Sequence, residues 1–305
     1  MYFNERIETM PVNALRKIQS EKLVQQLQYM YRNQPFYKKL WDEKNININK
    51  IKSIHDIQLL PLTTKDDLRN NYPFGLFAAP HEDIIRIHCS SGSTGKPTVV
   101  GYTKNDLDIF SETVARSLCC AGAKPGMKLH NAYGYGLFTG GLGLHYGAEL
   151  LGMSVIPVSG GMTERQIMLL QDFGAEIISC TPSYALVLAD KIRNEDPRLK
   201  KINLKYAVLG AEPWTEAIRK EVEQKLGVIA TNIYGLSEIC GPGISQEDFE
   251  EKNGSHIWED HFYPEVIDTE TKQPLAEGRD GILVFTTLTK TGMPLMRYMT
   301  NDICC

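Results

Sequence analysis

No apolar run in this 305-residue sequence approaches the length needed to span a bilayer. The opening stretch, MYFNERIETMP, carries acids where a secretory leader would carry an apolar core. A cytoplasmic protein without a membrane partner is therefore expected. Basic charge is not in excess either: 33 Lys and Arg stand against 37 Asp and Glu, for a net charge of -4. That balance gives no surface for a polyanion and argues against a nucleic-acid partner. Seven cysteines are present, but none at a C-x-x-C spacing, and most sit in apolar stretches. This excludes a disulfide framework as the organising principle and points to a reducing compartment. Internal repeats and low-complexity segments are missing too.

What is there is an ordinary globular composition, 42% hydrophobic and 23% charged, long enough for one large or two modest domains. From Pro11 to Asp42, Leu15, Ile18, Leu23, Leu27 and Met30 recur at helical spacing, predicting an amphipathic helix that closes near Pro35. Thr63 or Thr64 is placed to cap a short helix before the turn at Tyr72-Pro73. From Asp83 to about Tyr234, β-branched runs alternate with helical patterns. Strands are expected at Ile84–Ile87, Thr98–Tyr102, Lys128–Tyr133, Ser154–Pro157, Glu176–Cys180, Leu204–Leu209 and Val228–Ile233. Helices of ten or more residues between strands mean βαβ units, so the fold class is α/β with mainly parallel sheets flanked by helices. A helical segment over 1–80, a nucleotide-binding core over 81–243 and a smaller β-rich portion over 244–305 are the expected divisions.

In such sheets ligands gather at the carboxyl ends of the strands, and the least ordinary residues fall in those loops. The first loop is Ser90-Ser91-Gly92-Ser93-Thr94-Gly95-Lys96, whose small residues, hydroxyls and ammonium suit a phosphate. It is not a P-loop: Ser90 stands where that pattern needs glycine, Pro97 where it needs a hydroxyl, and Thr98-Val99-Val100 reads as strand rather than helix. The loop must join two strands. "YGYGLFTGGLG", Tyr133 to Gly143, mixes aromatics with glycines, as either a stacking wall for a flat ligand or a close helix packing site would. "GAEPW", Gly210 to Trp214, and "YGLSE", Tyr234 to Glu238, add small residues, an aromatic face and two carboxylates. A nucleoside triphosphate needs these parts: a stacking surface, edge contacts, phosphate donors and a hard oxygen for Mg²⁺.

The order SSGSTGKPT, GAE, YGLSE and a final Thr300-Asn301-Asp302 resembles the adenylate-forming superfamily of acyl-CoA synthetases, adenylation domains and luciferases. "MYRNQPFYKKLWDE", "LPLTTKDDLRNNYPFGLFA", "HIWEDHFYPEVID" and "MPLMRYMTND" are similar to its phenylacetate-activating branch. The resemblance implies ATP-dependent activation of an aryl carboxylic acid through an acyl-adenylate to its coenzyme A thioester. It implies that the Ser90–Lys96 loop clasps phosphates, with Thr94 and Lys96 stabilising departing pyrophosphate. Ala211 and Glu212 would lie against the adenine, Tyr234 would stack on it, and Gly210, Pro213, Gly235 and Ser237 would belong to the same nucleotide site. Glu238 would hold Mg²⁺ and Asp302 the ribose. Tyr135, Phe138 and Gly140 become candidates for the aryl-acid pocket. Some relatives hold zinc, which singles out Cys240, His256, Cys304 and Cys305, and a homodimer is common among them. Where the family reads Arg-Tyr-Arg-Thr-Arg-Asp, this chain has Arg297-Tyr298-Met299-Thr300-Asn301-Asp302. The family's mobile C-terminal domain, with its catalytic lysine, is not recognisable before Cys305. A nucleotide-binding piece without that lysine, noncatalytic or limited to a half-reaction, is the alternative expectation.

Overall fold

The computed structural model describes residues 1–90, 97–195 and 202–305. The chain divides into two compact units, Glu5–Leu107 with Ile257–Cys305 and Met1–Asn4 with Asp108–His256. The first begins with α1 (Glu5–Glu8), α2 (Val12–Asn33) and α3 (Pro35–Glu43). The amphipathic pattern thus becomes two helices rather than one. Pro35 cannot continue the first but is pre-organised for the opening turn of the second. Their apolar faces bury Leu23, Leu27, Met30, Tyr37 and Trp41 in one core with Leu288 and Met296.

Of the two threonines, Thr64 is the cap of α4 (Lys65–Asn70). It accepts from Asp67 N, and the Asp67 carboxylate accepts from Thr64 N at 2.7 Å, a reciprocal capping box. Thr63 is buried instead, its hydroxyl bonded to Tyr37 Oη at 2.9 Å and donating to Met296 O at 2.7 Å. Strand β1 (Arg86–Cys89) lies two residues beyond its expected place. Ile84 is spent closing a short turn, its N–H donating to His81 O. β1 pairs antiparallel with β2 (Val99–Tyr102), Cys89 opposite Val99. These two strands form a sheet of their own rather than joining the parallel one, and their antiparallel pairing is what a direct strand-to-strand connection allows. The loop in question does join two strands, although Ser91 to Lys96 lie outside the described residues.

After α5 (Lys104–Cys120) come β3 (Lys128–Asn131), α6 (Gly140–Leu150), β4 (Ser154–Ile156), α7 (Thr163–Phe173), β5 (Ile177–Cys180) and α8 (Pro182–Glu195). β6 (Tyr206–Gly210), α9 (Glu216–Leu226), β7 (Ile229–Leu236), β8 (Gly241–Glu247) and β9 (Ser255–Ile257) follow. These strands make one sheet in the order β4-β3-β5-β6-β7-β8-β9. β4 through β7 run parallel, and β8 turns back antiparallel. The sheet therefore runs past the expected boundary at residue 243, which falls inside β8. Ile178, Ala207, Leu209 and Ala230 share a core with Ile167, Leu170, Leu188 and Val222 of α7, α8 and α9. Ile177, Val208 and Thr231, of opposite parity, are buried as well, so both faces are covered.

The glycines of α6 serve close helix packing. A Cβ on Gly143 would strike the Phe110 ring, and one on Gly147 would strike Val114, coming within 2.5 Å of its Cβ. They are there so that α6 can press against α5. Gly147→Ala is expected to lose about 1–3 kcal/mol by overpacking against a stiff β-branched residue, read as a lower urea midpoint.

The first unit closes with β10 (Phe262–Ile267), β11 (Gly281–Thr287) and β12 (Tyr298–Cys304), an antiparallel sheet in that order. These strands lie in the β-rich portion expected over 244–305.

Candidate active site

In the unit holding the parallel sheet, β3 lies between β4 and β5, so the winding direction reverses beside it. The carboxyl ends of β3 and β5 are thus the crevice of an open α/β sheet. Asn131, the last residue of β3, is fully buried and fills all of its hydrogen-bonding capacity there. Its amide nitrogen donates to Tyr135 Oη at 2.7 Å and to Gly141 O at 2.8 Å. Its oxygen accepts from Ser179 Oγ at 3.0 Å and from Tyr133 N at 3.3 Å. One side chain ties β3, β5, the aromatic loop and the start of α6.

The Tyr135 hydroxyl, accepting from Asn131, has its proton left for His145 Nδ1 at 3.1 Å. The other ring nitrogen, Nε2, lies 3.0 Å from Glu149 Oε1. Burial above all pushes the Tyr135 phenol up to about 12, so it is neutral and serves as a hydrogen-bonding group. Tyr133, also raised by burial, donates to Cys180 O at 2.7 Å across the crevice. Phe138 is half-exposed, 6.5 Å from the Tyr133 ring, and lies where a Cβ on Gly140 would sit.

Gly210 ends β6, where a Cβ would collide with Ile233 O of β7. Ala211 follows in the left-handed region at φ 70°, and Pro213 is exposed. Glu212 has a structural partner that the sequence reading missed: its Oε1 accepts from Ser183 N at 2.5 Å, at the first turn of α8. On β7, Tyr234 pairs with Ser245, and a Cβ on Gly235 would collide with Gly241 O. Just past the strand, Ser237 Oγ is bonded to Thr139 Oγ1 at 3.1 Å, and Glu238 is buried at 5% exposure. Tyr135, Phe138, Gly140, Gly210 to Pro213, Tyr234, Gly235, Ser237 and Glu238 therefore all fall at the carboxyl edge of one sheet.

Ser90 and Asp302 belong to the other unit. Ser90 N donates to Thr98 O at 2.9 Å, at the neck of the hairpin. Gly92, Ser93, Thr94, Gly95 and Lys96 lie with Ser91 outside the described residues. Asp302 is exposed on β12, where the register with β11 slips between Ile282 and Val284. Asn301 takes φ 68° in that bulge, and Thr300 Oγ1 donates to Leu283 O at 2.8 Å and accepts from Asp302 N. Bulges of this kind re-aim side chains beside functional sites.

The zinc expectation finds no support. Among the described residues no three His, Cys, Asp or Glu side chains come together to hold a metal. Cys240 is buried beside Glu238, whereas His256 is exposed on β9. Asn131, His145 and Ser183 were not singled out by sequence. The available signal was slight: an asparagine ending the strand Lys128–Asn131 just before the aromatic loop.

A mainly parallel sheet whose carboxyl edge gathers glycines, aromatics and carboxylates around a switch point defines a nucleotide-handling α/β enzyme. The family model described as AMP-binding enzyme matches residues 6–289, and the chain belongs to that family. It is 61% identical over 303 residues to a phenylacetate-coenzyme A ligase of Thermus thermophilus, covering 99% of this chain and 68% of the relative. With the phenylacetate-coenzyme A ligase of Escherichia coli K12 the identity is 50%, over 97% of this chain and 68% of the relative. Among solved structures, an open conformation of 2-hydroxyisobutyryl-CoA ligase in complex with 2-HIB-AMP and CoA superposes with a TM-score of 0.93 at 27% identity. The match covers 99% of this chain and 72% of that one.

Proposed function

We propose that this protein activates an aryl carboxylic acid, phenylacetate above all, with ATP and passes it to coenzyme A. The observation that carries the reading is the gathering of the aromatic loop, Gly210–Pro213 and Tyr234–Glu238 at one sheet edge. It occurs in a chain 50–61% identical to phenylacetate-coenzyme A ligases over nearly its whole length. A carboxylate is a poor electrophile until one of its oxygens carries a good leaving group. Its oxygen attacks the α-phosphorus of ATP, the bond to the β-phosphate oxygen breaks, and pyrophosphate departs. The thiolate of coenzyme A then attacks the acyl carbon and AMP leaves with the oxygen.

In this reading Ser90 to Lys96 grip the β- and γ-phosphates, with Thr94 and Lys96 meeting the charge that builds on pyrophosphate. Ala211 and Glu212 border the adenine, Tyr234 stacks on it, and Asp302 accepts from the ribose hydroxyls. Tyr135 and Phe138 form the wall of the acid pocket over Gly140. The Tyr135 hydroxyl is already engaged by Asn131 and His145, so its ring rather than its proton meets the substrate. Glu238 suits Mg²⁺, which takes one or two carboxylates and completes its octahedron with water and phosphate oxygens. When bound, that ion neutralises charge on the triphosphate. We carry a cytoplasmic location with this reading, since ATP and coenzyme A are drawn from that pool. Among the described residues no helix is long and apolar enough to cross a membrane.

Exchange of labelled pyrophosphate into ATP tests the first half-reaction. Exchange that requires phenylacetate and falls with aliphatic acids is the expected result. ATP binding with no acid-dependent exchange would overturn the proposal.

A further inference from the structure

Gly210 and Ala211 begin the turn between β6 and α9, and each is constrained there. One has no room for a Cβ, and the other is an L-residue at φ 70°. Left-handed backbone on a residue other than glycine costs about 1–2 kcal/mol and persists only where its surroundings over-determine it. At the front of the turn, Glu212 is fastened to Ser183 N. At the back stands Trp214, which occupies no assigned subsite.

The Trp214 indole Nε1–H donates to Asn232 Oδ1 at 2.9 Å. Its ring is covered by the Arg219 guanidinium, whose central carbon lies 4.6 Å from the ring centroid. Arg219 is forked onto Glu247, Nη1 to Oε2 and Nη2 to Oε1, both at 2.8 Å. Glu247 Oε2 also accepts from Asn232 N at 2.7 Å, which closes a ring of four residues: Trp214, Asn232, Glu247, Arg219. The ring joins the turn, β7, β8 and α9. Arg219 further donates from Nη1 to Ala230 O at 2.7 Å and from Nε to Glu216 at 2.8 Å, so its fork is committed within the protein. Arg219 and Glu247 are 7% and 8% exposed. A buried pair of this kind is weak as a source of net stability, so its use lies in fixing geometry. Asn232 and Tyr234 are two apart on β7 and share a face of the strand. The ring thereby ties the strand that carries Tyr234 to the turn that carries Ala211.

We propose that Trp214 is a positioning residue for the adenine-facing turn, held by the Asn232–Glu247–Arg219 ring so that ATP affinity depends on groups outside the pocket. This rests on the functional reading above. The test uses the full chain with Trp214→Phe, which keeps an aromatic ring but removes the N–H, and with Asn232→Ala, which removes its acceptor. Each is expected to raise the Kd and KM for ATP about three- to tenfold. kcat and the KM for phenylacetate should hold, the unfolding midpoint should stay close to wild type, and the double variant should lose no more than one single variant. The change in tryptophan emission on adding ATP should disappear in Trp214→Phe. Folded variants that bind ATP as wild type does would sink the inference alone, as would equal changes in KM for ATP and acid. Wild-type protein that binds no ATP would sink the functional reading and this inference with it.

Discussion

Arg297→Met is expected to cost about 3–5 kcal/mol of unfolding free energy, because it strands a buried carboxylate. Arg297 Nε and Nη2 hold Glu265 Oε2 and Oε1 at 3.0 and 2.9 Å, and both residues are below 10% exposure. Its Nη1 donates to Leu60 O at 2.6 Å and Gln58 O at 3.2 Å, so the same change also leaves carbonyls of the N-terminal segment unbonded. The pH dependence follows from Glu265. Burial already raises its pKa above the ordinary 4.5, with Arg297 pulling the other way. Without Arg297 the folded-state pKa climbs further. A group with a raised folded pKa loses stability as pH rises through that value. The penalty in Arg297→Met should thus be smallest below pH 4.5 and grow above it. Urea unfolding at several pH values checks this, and a penalty that does not vary with pH would contradict it. Glu265→Gln in the Arg297→Met background should recover part of the loss, since a neutral amide needs no counter-charge.

Glu238→Gln is the second large effect expected. The substitution keeps shape and removes one charge from a buried position at the end of β7, next to the Ser237–Thr139 hydroxyl pair. If the carboxylate holds Mg²⁺ against the triphosphate, acid-dependent pyrophosphate exchange falls by about 10²–10³, the loss typical of one preorganised electrostatic group. The Mg²⁺ concentration for half-maximal exchange should rise in parallel, while the unfolding midpoint barely moves. Exchange within about threefold of wild type would remove Glu238 from the metal role.

Much of this architecture was legible because it is written in local period. Helix α7, Thr163–Phe173, is one of the helices expected between the strands, closed by Gly174 at φ 61°. The alternation from Lys128 to Ile233 became the parallel part of the large sheet. Misreadings came where pairing overrode local pattern. Ile84 belonged to a turn, the hairpin β1–β2 stood apart from the parallel sheet, and β12 was not foreseen at all. The motif residues Gly210 to Pro213 and Tyr234 to Glu238 were found because small, aromatic and acidic types after a strand are conspicuous. Their supports were not. Arg219 and Glu247 are 28 residues apart, Glu265 and Arg297 32 apart, and no periodicity connects such partners. Ser183 was invisible for another reason: it contributes a backbone N–H, which every residue type but proline has.

Asn131 bears on how such a pocket could change in evolution. Tyr135 is tied through this one amide to β3, β5 and Gly141, so altering it disturbs the spacing of two neighbouring strands. Phe138 is held by its packing against Tyr133 and Gly140 and is half-exposed. If these two rings wall the acid pocket, as proposed, drift toward bulkier or smaller acids is cheapest at Phe138. The anchored tyrosine would then act as a ruler and the phenylalanine as the adjustable jaw, and a family built on this plan should diversify its substrates from one side of the pocket only.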